Sequence, residues 1–135
     1  MLRNNLVSFG IHFFVLALSG LLYSLSGHPV YLGFVVLLSF TMYVLLGHIF
    51  LKSMGTVALN ILSVSAVSLI GALIGLYGWF FPSLMGFNRM IFLAYHSFTF
   101  ALVQMFQISP APALTFWFFV VPTLLLWTGL QLRKR

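Results

Sequence analysis

Not one aspartate or glutamate occurs in the 135 residues, and 62% of them are hydrophobic. A soluble domain carries charge on about a quarter of its positions, against 4% here. Such a chain has no means of covering itself with a water-facing surface, so it reads as an integral membrane protein. At about 20 residues per crossing, its length allows four or five spans and no separate extramembrane domain.

The missing carboxylates also remove classes of function. There is no acid for proton-coupled antiport, for an aspartyl protease or for a divalent-cation site built on acidic oxygens. Cysteine is absent too, which removes thiol redox chemistry and thiolate metal sites. The net charge of +6 rests on Arg3, Lys52, Arg89, Arg133, Lys134 and Arg135. All stand near the edges of apolar runs, so they read as topology signals and headgroup contacts, not as a nucleic-acid surface.

The hydrophobic runs predict an all-α bundle in a single domain, with helices over about 6–26, 30–51, 56–81, 90–107 and 113–132. The first run is long for a signal peptide and is kept as a retained span. Gly27, His28 and Pro29 make a tight turn, so the first two spans form an antiparallel hairpin. Ser109 to Pro112 form a rigid break before the last span. Two topologies remain open. Five spans place Arg3 and Lys52 on one side and the other charges on the opposite one. Alternatively the run 90–107 is re-entrant and Arg89 alone lies outside. Both put the C-terminus in the cytoplasm, and both imply a multi-pass protein of the plasma membrane.

The run 56–81 is expected to be the hub. Wound as one helix, it brings Asn60, Ser68, Gly71, Gly75 and Gly78 within an arc of about 80°. Such a stripe lets another backbone approach closely in lipid. Gly10, Ala17, Gly20 and Ser24 make a similar stripe on the first span. A second line on that span, Ser8, His12, Ser19, Tyr23 and Ser26, is polar, and is expected to bond backbone or neighbouring helices.

His12 and His48 fall at matched depth on the two antiparallel helices, within about 4 Å by helix rise. The residues around His12 loosely resemble the first helix of membrane cytochromes b, where a histidine precedes a glycine by about one helical length. That resemblance implies a b-type haem between His12 and His48, although no acid or arginine cluster stands by to hold propionates. The alternative is a neutral His12 bonded to Ser8, one turn earlier. Gly55 to Asn60, followed by Ser97 to Phe100, is similar in spacing to small dual-topology fluoride channels. This resemblance implies an anion path past Asn60, Tyr95 and Thr99, but the family's early glycine-rich segment is missing. No nucleophile motif is recognisable around His96.

The sequence therefore predicts a non-catalytic accessory subunit. Its small-residue faces would pack against another membrane protein or a second copy. An anion or solute channel is the alternative, and a haem-binding redox subunit the third reading. No cofactor is expected under the first.

Overall fold

The computed structural model describes residues 1–82, 86–107 and 115–133. The expected break at 109–112 and the last two residues of the basic tail lie outside them. Among the described residues there is no strand. Helix α1 spans Leu2–Tyr23 and α2 spans Pro29–Phe50. Pro29 occupies the first turn of α2, where its missing N–H costs nothing. Both helices are long and apolar enough to cross a membrane.

The hub is two helices instead of one: α3, Val57–Leu62, and α4, Ala66–Phe80. Neither glycine nor proline breaks it. The Ser63 hydroxyl donates to the Asn60 carbonyl (2.9 Å) and that of Ser65 to the Leu62 carbonyl (3.1 Å), so side chains compete for the helical ladder. Neighbouring helices satisfy what the break exposes. Asn5 of α1 accepts from the Ala66 N–H (3.3 Å) and donates to the Leu62 carbonyl (3.4 Å). Across the break, Thr123 donates to the Val64 carbonyl (3.0 Å) and accepts from Ser68 (2.7 Å).

The run expected as one helix over 90–107 is also divided, into α5, Phe87–Tyr95, and α6, Phe98–Met105. A 3₁₀ turn, Phe116–Phe119, then leads into α7, Val120–Leu132.

Contacts fix the directions. Asn5 meets Ala66, so α1 and α4 start at one end of the bundle and run parallel. Arg133, just past α7, bonds the carbonyls of Ile49 (3.2 Å) and Leu51 (2.7 Å) at that same end. Arg3 bonds the neighbouring Phe50 carbonyl (3.3 Å), so two arginines cap the C-terminus of α2. Buried Asn4 closes this end, with its side chain bonded to both the Lys52 carbonyl (2.7 Å) and the Lys52 N–H (3.2 Å).

At the far end Asn88 donates to the Phe81 carbonyl (2.6 Å), and α5 then descends along α4 until Tyr95 bonds the Val67 carbonyl (3.0 Å). There the chain reverses. Helix α6 climbs back until Gln104 accepts from Tyr23 (2.8 Å) at the end of α1. The pair is a hairpin that enters from the far end, turns inside the bundle and leaves by the same end.

The core lies where α2, α6 and α7 meet α1, around Val15, Tyr43, Val64, Phe98, Leu126 and Leu130. The closest helix approach joins α2 to α7. A β-carbon on Gly129 would run into the Val44 carbonyl oxygen and lie 2.9 Å from the His48 nitrogen. One on Gly47 would lie 3.0 Å from the Leu126 carbonyl oxygen.

Candidate functional site

The tip of the α5–α6 hairpin is the most polar place in the interior. It is held open by its own side chains: His96 bonds the Phe92 carbonyl through Nδ1 (3.0 Å), and Thr99 donates to the Leu93 carbonyl (3.3 Å). A carbonyl only accepts, so His96 carries its proton on Nδ1 and presents Nε2 as a bare lone pair. Ser97 donates to the Leu16 carbonyl (3.1 Å) and is bonded to Ser19 of α1.

The polar line on α1 is the track on which this tip sits. His12 is fully buried, with its ring 4.4 Å from that of Tyr95 and 6.3 Å from that of His96, centroid to centroid. Its Nδ1 shares a 2.7 Å hydrogen bond with the Tyr43 hydroxyl. The Nε2 atoms of His12 and His96 are both buried without a hydrogen-bond partner among the described residues, although the Tyr95 backbone runs alongside His12. Ser19 and Tyr23 take Ser97 and Gln104 as partners. The cluster thus offers two adjacent imidazoles, one of them bonded to the Tyr43 hydroxyl, and no carboxylate. Among the described residues no group of three or more metal-ligating side chains occurs.

The haem pair is not brought together. His48 is exposed on the outside of α2, while His12 is enclosed by Tyr43, Tyr95 and His96. Tyr43 and His48 are five positions apart, about 140° around the helix, so a face that turns Tyr43 inward turns His48 outward. The two residues do not fit a haem. Ser8 is not the partner of His12 either, and its hydroxyl is buried without one among the described residues.

Asn60, Tyr95 and Thr99 do not line one path. Asn60 accepts from the Met54 N–H (2.7 Å) near the end closed by Asn4, Tyr95 is spent on Val67, and Thr99 on Leu93. None of the three lines the grooves beside Gly10, Phe40, Gly20 or Gly75. Phe100 packs on Tyr23 in the opposite half of the bundle from Asn60.

The stripe of small residues on α4 faces inward, without Asn60. Ser68 meets Thr123. Gly71 lies under His96 and Tyr95, Gly75 under Phe92 and Phe116, and Gly78 under the Asn88 backbone. The chain's own hairpin covers these positions. On α1 the outcome is opposite. Gly10, Ala17 and Ser24 are exposed and Gly20 is partly so, and a β-carbon on Gly10 or Gly20 would meet nothing within 4 Å. The chain matches no known family model, no curated protein and no solved structure.

The sequence reading missed Gly47, Gly129 and Tyr43. Tyr43 carries the one available signal: a tyrosine hydroxyl in the middle of an apolar helix needs a partner.

Proposed function

We propose that the protein is a small multi-pass membrane protein that acts as a non-catalytic interaction subunit, receiving a partner's transmembrane helix on the outward face of α1. The observation that carries this reading is the open line of Gly10, Ala17, Gly20 and Ser24. It is a close-packing face that no other part of the described chain covers. Gly10, Ala17 and Ser24 recur every seven residues, the period of a left-handed helix crossing. An apolar groove lined by Val7, Ile11, Phe14, Leu46 and Phe50 runs beside Gly10.

Membrane residence is supported by the absence of acids and by large apolar side chains exposed around the perimeter, among them Phe14, Phe34, Leu37, Leu73 and Phe80. We read α1, α2, α4 and α7 as four crossings and α5–α6 as a re-entrant hairpin. A broken backbone at membrane depth is tolerated when it is buried in protein, and His96 to Thr99 meet that condition. The end carrying Arg3, Lys52 and Arg133 is then cytoplasmic.

The test is the photoreactive residue p-benzoylphenylalanine at Ala17, which inserts into C–H bonds of whatever packs there, illuminated in native membranes. The expected product is a discrete heavier species, lost when Gly10 and Gly20 are both replaced by leucine. A product of twice the chain mass makes the partner a second copy. A protein that stays uncross-linked, with leucines that alter nothing, overturns the proposal.

One observation favours a second reading, a path for an anion or small solute. Two helix breaks lie in the bundle among the described residues, and at one of them the buried His96 Nε2 has no hydrogen-bond partner among those residues, the kind of place where transporters bind substrate. Purified protein in liposomes should then pass chloride or fluoride, and His96→Leu should abolish the flux. Absence of flux removes this reading.

A further inference from the structure

Arg3 and Arg133 spend their guanidinium groups on carbonyls at the end of α2. Arg89, in the first turn of α5, does not. Its Nε and Nη2 are shut away from solvent and have no hydrogen-bond partner among the described residues. These two nitrogens share one edge of the planar guanidinium, the edge that offers two parallel N–H bonds to two oxygens of a single anion. Arg89 lines a cavity of about 30 Å³ together with Gly75, Gly78, Trp79, Phe92, Thr115 and Phe116. That volume admits roughly two water-sized groups, the size of two oxygens and not of a whole headgroup.

Charge decides the class of ligand. Enclosing one edge of a cation without a counter-ion is costly, and the sequence contains no Asp or Glu to supply one. The neutralising group therefore comes from outside the chain. The cavity lies at the far end of the bundle, where Tyr77, Trp79, Phe80 and Phe81 are exposed. Tryptophan and tyrosine concentrate at the depth of lipid headgroups, where phosphate esters are the abundant anions. We infer that the Nε–Nη2 edge of Arg89 and this cavity form a binding site for a phosphate anion, two of whose oxygens enter the cavity. A phospholipid headgroup and free inorganic phosphate share this chemistry.

The test uses the full-length protein in maltoside detergent and phosphate-free buffer, with phosphatidylglycerol or inorganic phosphate added separately. Native mass spectrometry reads retention and thermal melting reads stabilisation. The wild type is expected to retain one phosphatidylglycerol and to melt higher with it. In Arg89→Gln the apparent affinity should fall on the order of tenfold or more. Arg89→Lys should lie between, because an ammonium cannot present two parallel donors. Arg3→Gln should bind like the wild type. Without lipid, Arg89→Gln should melt no lower than the wild type, since the guanidinium edge it removes has no hydrogen-bond partner among the described residues. Equal stabilisation by inorganic phosphate supports the site and identifies the free anion as its ligand. A wild type that responds to neither, or an Arg89→Gln that retains the lipid undiminished, overturns the inference.

Discussion

The 2.7 Å bond between Tyr43 and His12 is buried at both ends, so removing the hydroxyl leaves an imidazole nitrogen with nothing to bond. Tyr43→Phe should cost about 1–3 kcal/mol, read as a lower melting temperature in detergent. His48→Phe should change it little, because His48 is exposed. The pair of substitutions separates an internal polar anchor from a surface histidine. That His12 is a polar centre was legible in the sequence, since it lies on a line with Ser8, Ser19 and Tyr23. Its partner was not. Helix rise gives depth alone, and depth matched His12 to His48, whereas the angle around α2 turns Tyr43 inward instead. Nor could spacing along the chain show His96 arriving at the same place, because that depends on the hairpin reversing at Tyr95 to Ser97.

At the scale of the element, the two glycine-bearing faces of α4 and α1 should respond differently to bulk. Gly71→Leu pushes a side chain into His96 and Tyr95, where a β-carbon alone would lie 2.9 Å from the His96 ring. A loss of about 1–3 kcal/mol is expected from overpacking. Gly129→Ala meets backbone, the Val44 carbonyl, which cannot rotate aside, so it should cost at least as much. Gly10→Leu meets open space and should leave the melting temperature of the purified chain unchanged. Equal effects at Gly10 and Gly71 would contradict this division of inward and outward faces. The small residues themselves were legible as a close-packing surface. What they pack against was not, because a stripe looks the same whether the chain's own hairpin or another protein covers it. The helix breaks were hidden for a related reason. Ser63, Ser65, His96 and Thr99 divide helices by bonding backbone carbonyls, and each is compatible with an unbroken helix until Asn5, Thr123 or Ser19 stands opposite. Together with the bonds of Tyr95 to Val67, Ser97 to Leu16 and Gln104 to Tyr23, those of His96 and Thr99 give these polar groups of 90–107 partners within the chain, so they do not by themselves require another protein.

For the whole molecule the proposed four crossings rest on where the cations lie. Arg3, the Lys52 backbone and Arg133 meet at one end through bonds to Phe50, Asn4, Ile49 and Leu51. Arg89 lies at the other, one residue after Asn88, which bonds Phe81. In the membrane arrangement we propose this placement makes the number of crossings even, whereas five would separate Arg3 from Arg133. Lys134 and Arg135 follow Arg133 directly in the sequence, so the charge bias favours holding that end in the cytoplasm. Three single-cysteine variants test this in intact cells with an impermeant maleimide. Phe87→Cys, at an exposed position beside Arg89, should be labelled from outside. Leu2→Cys and a cysteine added after Arg135 should be labelled only once the membrane is opened. Labelling of one tail and not the other would restore an odd number of crossings and make α5–α6 a span. Partial labelling at all three sites would mean that the chain inserts in both orientations, and a bundle with so few charges to orient it is the kind of protein in which that outcome is physically accessible.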